Sequence, residues 1–146
     1  MVAKRRAQVI WENDLIRGKG RVKFGTNALP ETEVTWVSRT EQPDGKTSPE
    51  ELLAAAHASC YSMALSATLA ANRTPPTRLD VTAECTIDFV EGKLKVTTME
   101  LTVKGDVPGI DNAKFEEIAK TAETGCPISN AIRNNVEIKL NATINE

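Results

Sequence analysis

The feature that most constrains the fold of this 146-residue chain is an alanine-rich apolar segment over residues 49–71. Ser48 is suited to be a helix N-cap, Pro49 stands at the first helical position, and Glu51 completes a capping box. The Pro-Pro pair at 75–76 cannot continue a helix, so the segment must end before it. The pattern therefore predicts one long helix over residues 49–71.

Apolar residues surround this predicted helix instead of forming one stripe. A helix that is apolar on nearly all sides is buried on nearly all sides. Its many alanines also allow neighbouring backbones to approach closely. In a domain of this size, burial all round is easier to achieve if a second subunit supplies part of the cover.

Alternating apolar residues on either side of the helix predict strands. The predicted strands are residues 8–11, 21–24, 33–37, 81–89, 94–103 and 136–144. A polar loop over residues 39–46 is expected to stop the third strand. Asp111 can cap a second helix that ends with Gly125 at C′, and Cys126 with Pro127 begins a further helical turn. The order predicts a single α+β domain over residues 1–146, with a mainly antiparallel sheet around one long helix.

Composition excludes several classes of function. The net charge is −2 with both signs interspersed, so no basic stripe indicates a nucleic-acid partner. No segment is expected to reach the ~20 apolar residues that span a bilayer. The basic N-terminal residues precede no apolar leader, so we expect a cytoplasmic protein without a membrane partner.

Three cysteines offer different possibilities. Cys85 alternates with apolar residues on a predicted strand, as expected of a packing residue. Cys60 lies in the middle of the apolar helix, where its position fits a core residue better than a nucleophile. Cys126 lies at a loop–helix junction, where backbone N–H groups can stabilise a thiolate and where a second sulfur could reach it.

His57 stands three residues before Cys60, on the same helix face. It could serve as a base for the thiol, but packing against a neighbouring polar group is the commoner arrangement. With one histidine and no C-x-x-C motif, we predict no zinc site, and we predict no cofactor.

Two segments of the chain resemble one family. Residues 47–66, TSPEELLAAAHASCYSMALS, resemble the central helix of the OsmC/Ohr family (osmotically inducible protein C and organic hydroperoxide resistance protein). Residues 125–129, GCPIS, are similar to that family's second cysteine motif, and residues 107–111 fit the segment before its second helix. The likeness covers essentially the whole chain.

The resemblance implies an intertwined homodimer and a thiol peroxidase that reduces organic hydroperoxides, and hydrogen peroxide more weakly. Cys60 matches the attacking position and Cys126 its disulfide partner, which an external dithiol would then reduce. Glu50 matches a glutamate that orients an activating arginine. Arg39 matches this arginine in the OsmC branch and Arg17 in the Ohr branch, and the surrounding loops favour Arg39.

Helix geometry adds a condition to this scheme. Glu50 and Cys60 lie ten residues apart, which on one helix is ~15 Å along the axis and ~80° around it. If Glu50 serves a Cys60 thiolate, it must therefore belong to the other subunit, and the site would be shared across a dimer. A substrate pocket is expected beside Met63 and Leu53, with Phe or Trp side chains.

Two alternatives remain open from the residues. A hydrolase would use Cys60 with His57 and would not need Cys126. A non-catalytic redox sensor or small-ligand binding module would form the disulfide without turnover.

Overall fold

The computed structural model describes residues 1–145 and confirms the α+β class. The strands are β1 (Ala7–Glu12), β2 (Lys19–Phe24), β3 (Thr32–Val34), β4 (Arg78–Val90), β5 (Lys93–Asp106) and β6 (Glu137–Ile144). The helices are α1 (Trp36–Thr40), α2 (Pro49–Ala71), α3 (Asn112–Gly125) and α4 (Pro127–Ile132). The chain divides into two compact units, the first ending at Leu52 and the second beginning at Leu53.

The first unit contains the antiparallel sheet β1-β2-β3 and a helix that the sequence analysis missed. The predicted strand over residues 33–37 was wrong at its C-terminal end, because β3 stops at Val34. Thr35 and Ser38 form a reciprocal capping box, each side chain accepting the other's backbone N–H at 3.0 Å. Arg39 therefore lies in the last turn of α1, and not in the predicted polar loop.

The predicted bounds of α2 are confirmed, although its capping differs from the prediction. Ser48 Oγ accepts the Glu51 N–H at 3.1 Å, as an N-cap should. The Glu51 carboxylate instead accepts the Thr47 hydroxyl, at 2.6 Å. The Glu51 side chain thus binds the Thr47 hydroxyl instead of the Ser48 backbone N–H that a capping box would give it.

The second unit contains the sheet β4-β5-β6, the remainder of α2, and helices α3 and α4. Strands β4 and β5 are antiparallel and turn at Glu91 and Gly92, both of which have positive φ. Strand β6 pairs in parallel with β5, because α3 and α4 carry the chain back across the sheet. The core cluster of this unit includes fully buried apolar side chains from α2, β5 and α3: Tyr61, Leu65, Leu69, Leu101, Val103 and Phe115.

Helices α3 and α4 meet at Cys126, which is the C-cap of the first and the N-cap of the second. Asp111 caps α3 as predicted, its carboxylate accepting the Lys114 N–H at 2.8 Å. Gly125 is the last helical residue, so its predicted role as a left-handed C′ residue was wrong. The chain passes directly from one helix into the next.

Within one protomer, α2 is buried on one face only. His57 and Tyr61 lie on the buried face, while the opposite face is exposed and carries Ala55, Ala56, Ser59, Met63, Ala67 and Ala70. The expectation of burial on nearly all sides is therefore not met by a single chain. By length and composition α2 also satisfies the criterion for a membrane span, contrary to prediction, although the core helices of soluble proteins satisfy it too.

Candidate redox-active site

The fold brings Cys60 of α2 close to Cys126 at the α3–α4 junction. Both are free thiols, and they lie near enough for the Cys126 thiol to affect the ionisation of Cys60. Cys60 is half-buried, whereas Cys126 is fully buried. The junction position predicted for Cys126 is confirmed, and a second sulfur reaches it there, although Cys126 has no exposure to solvent.

The surroundings of Cys60 disfavour its thiolate. Burial raises the pKa of the Cys60 thiol above its ordinary value, and the neighbouring Cys126 thiol raises it further. The backbone N–H of Ile128 acts in the opposite direction by hydrogen bonding to the sulfur. Among the described residues, no cation contributes to the pKa shift of Cys60. A thiolate at neutral pH therefore requires a positive charge from elsewhere.

An apolar cleft of about 500 Å³ opens beside Cys60, a volume suited to a small molecule. Its walls include Ala56, Met63, Ala64, Pro127 and Ile128. Met63 lies where the sequence analysis expected it. The other expected walls, Leu53 and an aromatic ring, are not among the residues lining the cleft in the described chain.

The first unit holds the second candidate group, a pair between Arg39 and Glu50. Arg39 Nε lies 3.0 and 3.2 Å from the two carboxylate oxygens of Glu50, and Nη2 lies 2.6 Å from Oε1. Glu50 is buried, while the Arg39 side chain keeps 30% of its surface exposed. The carboxylate thus fixes the guanidinium, which keeps exposed surface for a second anion.

Arg17, the other arginine considered, is bound differently. Its side chain is 84% exposed and donates to Asp14, with Nε 2.8 Å from Oδ2. The Arg17 guanidinium lowers the pKa of the Asp14 carboxyl. Exposed pairs of this kind hold a side chain only weakly, so Arg39 is the better oriented of the two.

His57 does not hydrogen-bond to Cys60 but to Ser129 of α4, with Nε2 2.7 Å from Oγ. Both side chains are fully buried. Desolvation lowers the pKa of His57, against an opposing effect of Glu123 and with a smaller contribution from Arg133, which favours the neutral ring. This confirms the commoner arrangement, in which the histidine packs against a polar neighbour.

Ser129 is the polar residue that the sequence analysis did not assign to the site. It lies 72 positions from His57, and only the fold brings the two together. Its spacing could have identified it, because Ser129 follows Cys126 by three residues just as His57 precedes Cys60 by three. Cys85 lies half-buried in β4, opposite Met99, where it was expected as a packing residue.

Known proteins resemble this chain closely. Residues 42–141 match the family model described as OsmC-like protein. The chain is 38% identical over 133 residues to Peroxiredoxin OsmC of Escherichia coli (strain K12), covering 91% of this chain and 92% of that protein. It is 32% identical over 95 residues to an organic hydroperoxide resistance protein of Xanthomonas axonopodis pv. citri, covering 64% and 65% respectively.

The fold is also similar to solved structures. The crystal structure of an organic hydroperoxide resistance protein from Elizabethkingia anophelis superposes with a TM-score of 0.79 at 26% identity, covering 99% of both chains. An organic hydroperoxide resistance protein OsmC from Legionella pneumophila gives a TM-score of 0.76 at 22% identity, covering 98% of both. The arrangement of two sheets and four helices is therefore an established one.

Proposed function

The chain belongs to the OsmC-like family, and from this premise we propose that it is a cysteine-based peroxidase that reduces organic hydroperoxides. The observation that carries the proposal is the proximity of the Cys60 and Cys126 thiols beside an apolar cleft. The names of its relatives, a peroxiredoxin and an organic hydroperoxide resistance protein, support the same class of reaction.

The reaction begins when the Cys60 thiolate attacks the O–O bond of ROOH. The sulfur takes the distal oxygen and becomes a sulfenic acid, while the alkoxide takes a proton and leaves as ROH. The Cys126 thiol then condenses with the sulfenic acid, which forms a disulfide and releases water. An external dithiol restores both thiols by exchange and is itself oxidised to a disulfide.

Arg39 supplies the positive charge that Cys60 lacks within its own protomer. A guanidinium beside the sulfur lowers its pKa and stabilises the departing alkoxide. Because Glu50 and Cys60 are ten residues apart on one helix, we assign Arg39 and Glu50 to the Cys60 site of a second copy. Each homodimer then contains two sites shared between its subunits.

Exposed apolar surface supports the dimer. The outer face of α2 carries alanines and Met63, and β1 exposes Val9, Ile10 and Trp11 by 40–53%. Surface of this kind usually marks an interaction site. We place the protein in the cytoplasm, with α2 covered by the second copy and not by lipid. The apolar cleft favours organic hydroperoxides over hydrogen peroxide.

The test is a thiol count and an intact mass after one equivalent of cumene hydroperoxide, on reduced wild type and Cys126→Ser. Wild type is expected to lose two thiols as a Cys60–Cys126 disulfide. The Cys126→Ser variant is expected to gain one oxygen atom, as a sulfenic acid that dimedone can trap. The Cys85→Ser variant is the matched control and should behave as wild type.

Survival of all three thiols in wild type would refute the peroxidase. A disulfide that forms once but supports no turnover with any dithiol would instead favour a redox sensor. A Cys60–His57 hydrolase has less support, because His57 directs Nε2 toward Ser129.

A further inference from the structure

Helix α2 and the start of α4 are connected at two positions one helical turn apart. At one position the thiols of Cys60 and Cys126 face each other, and at the other His57 hydrogen-bonds to Ser129. On α2, His57 and Cys60 are three residues apart and so share a face, and Ser129 follows Cys126, the N-cap of α4, by three residues. The buried hydrogen bond therefore fixes the same two segments that carry the thiols.

Packing the two helices through this hydrogen bond lowers the stability of the fold compared with an apolar contact. Both partners are fully buried, and His57 Nδ1 has no hydrogen-bond partner among residues 1–145. An orphaned buried nitrogen costs stability, and two apolar side chains of similar shape could fill the space without that cost. The polar pair adds specificity, because a hydrogen bond between two particular atoms defines the position of α4 along α2.

A second pair fixes the other side of the Cys126 segment. Arg133 Nη2 lies 2.9 Å from Glu123 Oε1 and donates to the Glu123 backbone oxygen at 3.2 Å. It therefore joins the residue after α4 to the last turn of α3, with Cys126 between them. The segment that presents Cys126 is held from α2 on one side and from α3 on the other.

We propose that His57 and Ser129 are positioning residues for the second chemical step, holding Cys126 where it intercepts the Cys60 sulfenic acid. The inference rests on the proposed peroxidase function. The sulfenic acid has two fates. It condenses with the Cys126 thiol to give a disulfide and water, or it reacts with a second hydroperoxide to give a sulfinic acid and a second alcohol.

The two fates can be separated by hydroperoxide concentration. Condensation does not depend on the hydroperoxide, whereas over-oxidation is proportional to it. The concentration at which half of the protein becomes sulfinic acid therefore equals the rate constant of condensation divided by that of over-oxidation. Both branches start from the same sulfenic acid, so the rate of the first attack does not enter the ratio.

The experiment measures this half-point by intact mass for wild type, Ser129→Ala and the double variant His57→Leu/Ser129→Ala. The double variant replaces both polar partners by apolar groups, which keeps the fold more stable than leaving one of them unpaired. We expect the half-point to fall about tenfold or more in both variants, since small misplacements of reacting groups have effects of that size. Ser129→Thr retains the hydroxyl and should restore much of the loss.

Tyr61→Phe is the matched control. Tyr61 lies one turn after His57 on the same buried face and donates its hydroxyl to the Ala119 backbone oxygen at 3.0 Å. The variant loses a buried hydrogen bond between α2 and α3 but not the connection to α4. Its half-point should equal that of wild type.

The outcomes separate the two proposals. Unchanged half-points in the Ser129→Ala and double variants, or an equal fall in Tyr61→Phe, would overturn the positioning role while leaving the peroxidase intact. If wild type forms no Cys60–Cys126 disulfide at any hydroperoxide concentration, the proposed function fails and this inference fails with it.

Discussion

At the scale of single residues, the state of His57 has a consequence for stability. It is the one histidine of the chain, it is fully buried, and burial lowers its pKa below the ordinary 6.5. The unfolded chain therefore binds a proton at slightly acidic pH that the folded chain does not bind. The contribution of His57 to stability is present above pH 6.5 and is lost as the pH falls toward the lowered pKa.

We predict that the free energy of unfolding falls by up to ~1.4 kcal/mol per pH unit as the pH decreases below 6.5, and that His57→Gln removes this slope. Urea denaturation at fixed protein concentration, at several pH values from there downward, measures it. Carboxylates titrate mainly at lower pH and affect both proteins alike. An identical slope in His57→Gln would mean that the folded and unfolded chains bind the same number of protons at this histidine.

The residues of the site differ in how far the sequence could predict them. Glu50 and Cys60 lie in a long helix whose motif is recognisable, and Arg39 follows from the resemblance. The pairing of Arg39 with Glu50 depends on α1, which the sequence analysis interpreted as part of a strand and a loop. Ser129 could not be paired with His57, because the contact exists only once α4 is packed on α2.

At the scale of elements, the limits of helices were predictable where local chemistry determines them. Ser48, Pro49 and the Pro-Pro pair define α2, and Asp111 defines the start of α3. The start of α1 was missed because Trp36 and Val37 favour strands, while the Thr35–Ser38 capping box lacks the usual glutamate at its third position. Local capping here outweighed intrinsic preference.

The two faces of α2 lead to a prediction at the same scale. The inner face packs on its own chain, and the outer face is made of small residues that a dimer would cover. Glutamate at Ala67 would bury an unpaired charge in that interface. We expect Ala67→Glu to weaken dimerisation by at least about 100-fold, since an uncompensated buried charge costs several kcal/mol.

Light scattering after size-exclusion chromatography measures the mass of the Ala67→Glu protein, and its peroxidase turnover is measured beside it. The matched control is Lys120→Glu, which places a glutamate on the exposed side of α3 by reversing a charge. This control should remain a dimer with wild-type turnover. An Ala67→Glu protein that stays dimeric at low concentration would place the interface elsewhere.

At the scale of the whole molecule, the proposed chemistry is divided between two structural units. The thiols and the cleft belong to the second unit, and the Arg39–Glu50 pair belongs to the first. Burial raises the pKa of Cys60, so the Cys60 thiol alone is a poor nucleophile at neutral pH. The first unit, which holds the Arg39–Glu50 pair, contains no cysteine for the pair to activate. A homodimer resolves this if each copy supplies the pair that activates the thiol of the other.

This division predicts complementation between two inactive proteins. In a heterodimer of Arg39→Met and Cys60→Ser subunits, the intact Cys60 of the first subunit meets the intact Arg39 of the second. One of its two sites is therefore complete. An equal mixture that exchanges freely forms about half heterodimers, so it should regain about a quarter of wild-type turnover. Stopped-flow reduction of cumene hydroperoxide, before and after co-refolding the two variants, measures the gain.

The converse pairing supplies the control. Combining Arg39→Met with Cys60→Ser in one subunit and pairing it with wild type also leaves one complete Cys60 and one complete Arg39. In a shared site, however, these two belong to the same subunit and cannot meet. Such heterodimers should have no working site, whereas a site contained within each chain would leave one. Activity in this second heterodimer and none in the first would assign Arg39 and Cys60 to the same copy.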